Sequence, residues 1–413
     1  MAWFVTQLEC VACGRRYEPA PDLYVCPDCG IKGILDVQYD YDALRGRLTR
    51  EFFRNNTDWS QWRYADLLPL SRPDAARHLH VGWTPVYRAE RLGAYLGFPN
   101  LYIKDEGRNP TGSFKDRASA VGVARALEAG ARVVACSSTG NAASSLAGFS
   151  AAAGLPAYIF VPAAAPEAKV TQLLVYGAQV FLVEGTYDEA YHLCNDACRR
   201  FGWYNRNCAI NPYLIEGKKT AGWEIAEQFG WDPPDWIVMA VGDGCSIAGV
   251  WKAFVEAKLL GLIDRSPRMA GVQAQGARAL VDAFETGGPV APGRAATLAD
   301  SIAVGEPRNA AKALNAVRAS QGTMTAVSDD DIVAAIHELA RFSGVFTEPA
   351  GAAAYAGFKK LLAAGVIDPE ERVLVLATGN GLKDVKSARA GAPAARSIRP
   401  DLAELAAVLE PRR

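Results

Sequence analysis

Short apolar runs alternate with longer segments of helical period from about residue 80 onward. The runs have the length of buried strands, and the segments between them carry alanines and branched apolar residues at helical spacing. This alternation predicts parallel sheets covered by helices. The predicted strands are RVVACS (132–137), AYIFVP (157–162), QVFLVEG (179–185), DWIVMAVG (235–242), MAGVQAQG (269–276) and RVLVLATG (372–379).

Several of these strands run into turns rich in small polar residues and glycine, where ligands of open α/β sheets collect. In SSTGNAASSLAG (137–148), Ser138, Thr139 and the amides of a helix start suit an anion such as a carboxylate. In LATGNGLKD (376–384), Thr378 is placed to bond a ligand atom. Taken alone, the first motif is more often a helix cap and the second more often a plain turn than a ligand site.

The turn in VGDGCSIAGVWKAF (241–254) has glycines at positions 242 and 244, before a helix. These glycines let the backbone approach a phosphate, which the amides can bind. The segment lacks the Lys-Ser/Thr of a nucleotide P-loop and the third glycine of a dinucleotide fingerprint. A small phosphorylated cofactor is therefore favoured over ATP or NAD.

A lysine follows a loop of helix-breaking residues in NPTGSFKDR (109–117). RASAVGVARALEAG continues with helical spacing, so Lys115 is predicted at the junction of a loop and a helix. Such a lysine is either an ordinary surface charge or a firmly held nucleophile. Three residues alone do not separate these alternatives.

Four cysteines lie in the first thirty residues as CVAC and CPDC, twelve residues apart, and a glycine follows each pair. This spacing aims four thiolates at one ion and is typical of a closed, structural zinc site. The alternative is four reduced thiols or a redox pair. The predicted zinc ligands are Cys10, Cys13, Cys26 and Cys29, and the other five cysteines are interpreted as small buried hydrophobes.

Length and charge narrow the class of protein further. The 413 residues, half of them apolar, are enough for two domains and a small appendage. The 44 basic and 45 acidic residues nearly cancel and are dispersed, which argues against nucleic-acid or membrane partners and favours a small molecule. The start lacks the pattern of a signal peptide, so a cytoplasmic protein is expected.

Taken in order, the motifs resemble the threonine synthase family, which consists of pyridoxal-phosphate enzymes of fold type II. Members with a four-cysteine ribbon in front are familiar. The matching segments are GWTPVYRAERLG, LYIKDEGRNPTGSFKDRA, SSTGNAASSLAGFSAAAGL, INPYLIEGKKT, VGDGCSIAGVWKAF, TEPAGAAAYAG and LATGNGLKD, which together span about residues 82 to 384.

The resemblance implies a role for each motif. Lys115 forms a Schiff base with pyridoxal 5'-phosphate, and Phe114 can pack beside the cofactor. Asn141 bonds the phenolic oxygen of the cofactor, and Thr378 meets the pyridine nitrogen, a pairing that suits elimination and replacement chemistry. The residues expected at the cofactor phosphate are Gly242, Asp243, Gly244, Cys245 and Ser246.

The resemblance also implies a domain plan of two doubly wound parallel-sheet domains behind a zinc ribbon at 1–40. Residues 41–105 and 215–413 form the large cofactor-binding domain, and residues 106–214 form a small mobile one. Ser138 and Thr139 bind the α-carboxylate of an amino-acid substrate, and closure of the small domain excludes water. A homodimer is expected.

Two positions depart from the family pattern on the side of the substrate phosphate. Leu214 stands in NPYL where the family usually has an arginine, whose loss typically costs ~2 to 5 kcal/mol of binding. Asp243 and Ser246 replace asparagines, and a carboxylate at 243 repels phosphate unless it turns away or pairs with a cation. The cations that could compensate are Lys104, Arg108, Arg117 and Lys218.

Three functions remain open on the sequence. The first is threonine synthase, which eliminates phosphate from O-phosphohomoserine and adds water at the β carbon. The second is β-elimination or β-replacement on a different or non-phosphorylated amino acid. The third is a protein that binds pyridoxal phosphate without turnover.

Several residues receive ordinary structural interpretations. Glu348 begins a helix, where the dipole favours a carboxylate, and a contact with a ligand is the less favoured alternative. Phe114 is more often a core residue than a cofactor neighbour. The four histidines, His78, His80, His192 and His337, lie outside every motif and are interpreted as surface or packing residues.

Overall fold

The computed structural model describes residues 3–72, 77–165 and 167–409. Within these residues, none of the helices has the length and apolar character needed to cross a membrane. The strands are β1 (Val5–Cys10), β2 (Arg16–Tyr17), β3 (Leu35–Tyr39), β4 (Val86–Arg88), β5 (Leu101–Asp105), β6 (Val134–Ser137), β7 (Ala157–Pro162), β8 (Gln179–Val183), β9 (Tyr204–Asn205), β10 (Trp236–Ala240), β11 (Arg268–Ala274), β12 (Thr323–Val327) and β13 (Val373–Ala377).

Helices connect the strands and cover the sheets. The α-helices are α1 (Tyr41–Arg45), α2 (Arg50–Asn55), α3 (Glu90–Leu96), α4 (Lys115–Glu128), α5 (Asn141–Ala153), α6 (Glu167–Val175), α7 (Tyr187–Phe201), α8 (Tyr213–Gln228), α9 (Cys245–Leu259), α10 (Ala279–Thr286), α11 (Ala310–Ala319), α12 (Asp329–Ser343), α13 (Pro349–Ala363), α14 (Val385–Arg389) and α15 (Leu402–Leu409). Short 3-10 helices span Gly30–Lys32, Gln61–Leu67, Glu106–Arg108, Gln275–Ala277, Asp300–Ile302 and Gly381–Asp384.

The larger of the two parallel sheets has the strand order β12-β11-β10-β13-β5-β4. Its strands run parallel except β4, which pairs antiparallel with β5 at the edge. The central strands β10 and β13 are buried along their whole length, as expected for strands with helices on both faces. The predicted strands that become β10, β11 and β13 are confirmed.

The smaller sheet is parallel throughout, with the order β8-β7-β6-β9. It contains the other three predicted strands, which become β6, β7 and β8. All four of its strands fall between residues 134 and 205, whereas the larger sheet uses residues 86–105 and 236–377. The predicted fold class, α/β with two parallel-sheet units behind an N-terminal ribbon, is confirmed.

The N-terminal ribbon is a small antiparallel sheet, β2-β1-β3, docked on the helices of the larger unit. Tyr39 Oη donates to Glu216 Oε2 in α8 at 2.8 Å. Lys252 in α9 and Lys312 in α11 donate to the ribbon carbonyl oxygens of Val37 and Leu35, at 2.5 and 2.7 Å. The ribbon is therefore hydrogen-bonded to three helices, α8, α9 and α11.

A fully buried ionic cluster joins α4 to α8 and to the end of β5. The guanidinium of Arg117 makes paired hydrogen bonds of 2.6 to 2.8 Å with Glu106 and with Glu224. Lys104 Nζ adds a 3.0 Å ion pair to Glu224, and all four side chains are fully buried. Two cations and two carboxylates balance, which satisfies the requirement that buried charges be paired.

Candidate active site

A cavity of about 740 Å³ lies at the carboxyl ends of strands from both sheets. Its volume falls in the range of small-molecule sites. The connection between α10 and α11 contributes one wall. The lining includes Phe114, Lys115, Ser138, Thr139, Asn141, Tyr191, Arg206, Asn207, Cys208, Lys218, Gly242, Asp243, Gly244, Cys245, Ser246, Arg294, Asp300, Ser301, Arg308, Glu348 and Thr378. Every cofactor and substrate residue predicted from the sequence is in this set.

Lys115 is the first residue of α4, as the sequence predicts. The preceding loop is fixed from two sides, because Ser113 forms an isolated bridge with Gly379 and the Phe114 N–H donates to Thr378 O at 2.8 Å. Burial, reinforced by the charge of Lys218, lowers the pKa of Lys115 to about 8. A rigidly held amine with a lowered pKa is suited to nucleophilic or proton-transfer chemistry.

Asn141 opens α5, where Gly140 is the N-cap residue. Its Nδ2 donates to both carboxylate oxygens of Glu348 at 2.8 Å, and Ser301 Oγ lies 3.3 Å away. An amide nitrogen has two N–H groups, so Glu348 fixes the orientation of the amide through one of them, and the other, on the side of Ser301, is available to a ligand oxygen.

Glu348 is the N-cap residue of α13, buried in the cavity wall. Burial raises the pKa of its carboxyl group, and the bond from Asn141 and the charge of Lys383 oppose this. The sequence interpretation as an ordinary helix start was right about its position but missed this contact. A carboxylate in an otherwise apolar helix start, TEPAGAA, was the available signal.

The glycine turn before α9 forms another part of the cavity wall. Gly244 has φ +96°, and a Cβ there would lie 2.6 Å from Ala313 Cβ and 2.9 Å from the Asn309 carbonyl oxygen. Only glycine fits this position. The first amides of α9 have no intrahelical partner, so they are donors for an anion.

Asp243, the acidic departure in this turn, is held from the side of α11. Its Oδ1 accepts from the Arg308 N–H at 3.3 Å, and its carbonyl oxygen accepts from the Asn309 N–H at 3.0 Å. Burial raises the pKa of Asp243, and the charge of Arg308 opposes this shift. The positive charge of Arg308 therefore accompanies the carboxylate of Asp243. A nearby cation is one of the two conditions under which a carboxylate is tolerated beside phosphate.

The four candidate compensating cations lie in different places. Lys104 and Arg117 belong to the buried ionic cluster, and Arg108 is exposed. Lys218 alone among the four lines the cavity. Three arginines that the sequence did not indicate, Arg206, Arg294 and Arg308, also line the cavity, and of these Arg206 is buried.

Cys208 and Cys245 line the cavity, so the interpretation of all five remaining cysteines as plain buried hydrophobes was incomplete. Cys136 is buried and also lines the cavity, Cys208 is half-buried, and Cys194 and Cys198 are buried outside this set. A hydrogen bond from Cys245 and the charges of Lys218 and Arg206 hold the pKa of Cys208 well below its usual value.

The four N-terminal cysteines form one cluster whose sulfur atoms all lie within 4.8 Å of one another. Cys13 Sγ and Cys26 Sγ are 3.9 Å apart. Four thiolates bound tetrahedrally at about 2.3 Å from a metal are about 3.8 Å apart, so this spacing fits such an ion. Gly14 and Gly30 adopt the positive φ values expected of the turns, +71° and +58°.

The similarity of this chain to known proteins agrees with the geometry of the site. A lysine of lowered pKa at a loop–helix junction, a glycine turn at a helix start and two parallel sheets are features expected of a pyridoxal-phosphate enzyme of fold type II. The sequence model of the family described as "Pyridoxal-phosphate dependent enzyme" matches residues 78–379. The chain belongs to this family and, within it, to the lyases of the threonine synthase group.

The relatives behind this assignment cover nearly the whole chain. The threonine synthase of Methanosarcina acetivorans is 43% identical over 91% of this chain and 92% of its own length. That of Methanocaldococcus jannaschii is 41% identical over 92% and 93%. Among solved structures, threonine deaminase isoform 2 of Solanum lycopersicum has a TM-score of 0.64 at 26% identity, over 80% of this chain and 85% of that one.

Diaminopropionate ammonia lyase of Escherichia coli, solved with an aminoacrylate–pyridoxal phosphate azomethine, has a TM-score of 0.65 at 20% identity. That match covers 78% of this chain and 92% of the lyase chain, and it shows a shared fold.

Proposed function

We propose that this enzyme is a threonine synthase, which converts O-phosphohomoserine and water into threonine and inorganic phosphate. The observation that carries the proposal is the amine of Lys115, with its pKa lowered to about 8, in a cavity of about 740 Å³. This volume accommodates a cofactor together with an amino-acid substrate. The identity to two threonine synthases over more than nine-tenths of the chain supports the same reaction.

The residues around the cavity fit pyridoxal phosphate. The glycine turn at 242–246 offers amides and a position where only glycine fits, which suits the phosphate. Asn141 would bond the phenolic oxygen, and Thr378 would meet the pyridine nitrogen. When bound, the cofactor withdraws electrons from the amino-acid substrate and so acidifies the protons on its α and β carbons.

Lys115 would carry the proton transfers. Its amine, once the amino group of the substrate has displaced it, would take a proton at the α carbon and move protons at the β carbon. At pH 7.5 a pKa of about 8 leaves about a quarter of such amines neutral, compared with about one in a thousand for an ordinary lysine. Burial thus keeps this amine available as a base.

The α-carboxylate of the substrate would lie at the start of α5. Ser138 and Thr139 offer hydroxyl groups there, and the helix N-terminus favours negative charge. We also propose that residues 106–214 move as a small domain over the unit formed by 41–105 and 215–413. In support, the smaller sheet lies wholly within 106–214 and the larger sheet wholly outside it.

A second candidate is β-elimination or β-replacement on an amino acid without a phosphate. Two observations favour it: Leu214, where the family usually has arginine, is fully buried and apolar, and Asp243 puts a carboxylate in the cofactor turn. The solved deaminase from Solanum lycopersicum shares the fold at 26% identity. Binding without turnover is set aside, because the chain belongs to a family of enzymes.

An assay of two products separates these candidates. With O-phosphohomoserine, wild-type holoenzyme is expected to release one inorganic phosphate per threonine formed. With serine or threonine, it is expected to release little ammonia and keto acid. Ammonia and keto acid as the main products, with no phosphate release from O-phosphohomoserine, would transfer the assignment to the eliminating enzyme.

We propose that Cys10, Cys13, Cys26 and Cys29 bind one structural zinc ion that stabilises the ribbon. Purified enzyme is expected to contain about one zinc per chain by elemental analysis, and Cys13→Ser much less. Cys198→Ser, in α7, is the matched control and should keep the wild-type zinc content. A wild-type content far below one per chain contradicts the proposal. The expected homodimer, the cytoplasmic location and the absence of nucleic-acid or membrane partners stay predictions.

A further inference from the structure

The wall of the cavity beside the glycine turn contains two buried cations that no role assigned so far uses. Arg206 and Lys218 are 2% and 3% exposed, and both line the cavity that contains Lys115. Among the described residues, neither has a carboxylate within ion-pair distance. The cations in this corner of the cavity thus lack the acidic partners that Lys104 and Arg117 have.

Arg206 occupies the space beside the leucine that replaces the family's arginine. A Cβ on Gly122 of α4 would lie 2.3 Å from Leu214 Cδ2 and 3.9 Å from Arg206 Cγ. The two side chains therefore meet over one glycine. Leu214 packs into that space, and the stem of Arg206 runs alongside it. A guanidinium is present next to position 214 although position 214 itself has none.

Lys218 reaches the same place from the next turn of the helix. Positions 214 and 218 are four residues apart in α8, on one face. Side chains of an α-helix lean toward its N-terminus, so a long side chain at 218 lies over the turn that carries 214. The charge that Leu214 lacks is thus supplied by its neighbour in space and by its neighbour along the helix.

The guanidinium of Arg206 has capacity left for a ligand. Nη2 donates to Ser119 Oγ at 2.8 Å, whereas Nε is buried and, within the described residues, has no hydrogen-bond partner. A buried donor without a partner is costly, and an anion would remove that cost. Cys208 shows that this corner favours negative charge: its thiol, bonded by Cys245 and facing both cations, has a pKa well below the usual value. Lys218 hydrogen-bonds this sulfur, and burial raises the pKa of Asp243, the carboxyl group within electrostatic reach of Lys218.

We propose that Arg206 and Lys218 form a second anion subsite, separate from the glycine turn, which binds the phosphate of the substrate. The inference rests on the proposed function, since it names the residues that recognise the leaving group of O-phosphohomoserine. In this chain, Arg206 and Lys218 would neutralise the phosphate that an arginine at position 214 binds in other members of the family. It also removes one of the two observations that favour a substrate without phosphate.

The test compares the holoenzymes Arg206→Leu and Lys218→Met with wild type. For each, kcat/KM for O-phosphohomoserine should fall roughly 30-fold or more, mainly through KM, because a buried charge partner of the phosphate is lost. The inhibition constant of inorganic phosphate should rise in parallel, while the cofactor content stays that of wild type. Arg199→Leu and Lys258→Met remove exposed charges far along α7 and α9 and should behave as wild type.

Two further variants keep the test decisive if Arg206→Leu does not fold. Arg206→Lys retains the charge without the fork of donors and should give an intermediate KM. Exchanging the two residues, in Arg206→Leu with Leu214→Arg, should recover much of the lost affinity for phosphate. Unchanged KM and phosphate inhibition in the folded single variants would overturn the subsite. So would loss of cofactor while the remaining holoenzyme keeps its wild-type KM, because the cations would then serve the cofactor.

Failure of the subsite is distinguishable from failure of the proposed function. If wild type releases no phosphate from O-phosphohomoserine, the function fails, and binding of inorganic phosphate to the holoenzyme still tests the subsite by calorimetry. Affinity that is present in wild type and lost in Arg206→Leu and Lys218→Met would support the subsite. Equal affinity in all three would overturn it.

Discussion

Lys115→Ala is expected to lower kcat by about 10³-fold or more, the largest effect of any single substitution in the cavity. The variant loses both the amine that would join the cofactor and the base that would move protons at the substrate carbons. The lowered pKa of about 8 makes this amine unlike the exposed lysines of the chain, which could not replace it at neutral pH. The measurement is phosphate release from O-phosphohomoserine by cofactor-saturated protein.

Two controls separate loss of chemistry from loss of structure. Lys258→Ala removes an exposed amine at the far end of α9 and should keep activity within about twofold of wild type. Lys115→Arg keeps a cation at the start of α4 but offers no neutral amine, so it should be as inactive as the alanine variant. Turnover by Lys115→Ala within tenfold of wild type would exclude a role for this lysine in the chemistry.

The sequence predicted those parts of the site whose structure depends on residues that are close together along the chain. The turn at 242–246 is recognisable because a strand, two glycines and a helix follow one another within a few residues. Lys115 is predictable at the helix start for the same reason. The bounds of β6 to β8 and of β10, β11 and β13 differ from the predicted ones by no more than a few residues, since the buried strands and the more exposed edge strand β8 all have continuous apolar runs.

The parts that the sequence did not predict depend on contacts between distant segments. Asn141 and Glu348 are 207 positions apart, and neither motif alone indicates that one orients the other. The meeting of Arg206 and Leu214 over Gly122 depends on how α4 packs on α8, which periodicity does not specify. Strands β4, β5, β9 and β12 were also not predicted: β4 and β9 have only two or three residues, and polar residues interrupt the apolar runs of β5 and β12.

The same limit applies to the basic residues proposed as replacements for the missing arginine. Arg117 and Lys218 lie on helices that pack against each other, and both are buried. In the structure, Arg117 and Lys218 differ in the groups that they contact. Arg117 is saturated by two glutamates, whereas Lys218 lines the cavity. One is therefore a determinant of stability, and the other is a candidate for recognition.

Arg117→Met is expected to lower the free energy of unfolding by ~3 to 5 kcal/mol, because it leaves two buried carboxylates with Lys104 as their remaining counter-charge. The group's net charge changes from zero to −1 in a fully buried place. The measurement is urea denaturation of the holoenzyme at a fixed cofactor concentration. Arg199→Met, which removes an exposed charge paired with Asp196, should change stability by no more than ~0.5 kcal/mol.

A second substitution tests whether charge balance is the cause. Glu224→Gln in the Arg117→Met background restores neutrality, since Lys104 then faces Glu106 alone. The double variant should therefore be less destabilised than the sum of the two single variants, by an interaction free energy of about 1 kcal/mol or more. Strict additivity of the two substitutions, or a loss below ~1 kcal/mol for Arg117→Met, would show that packing rather than ion pairing joins α4 to α8 at this point.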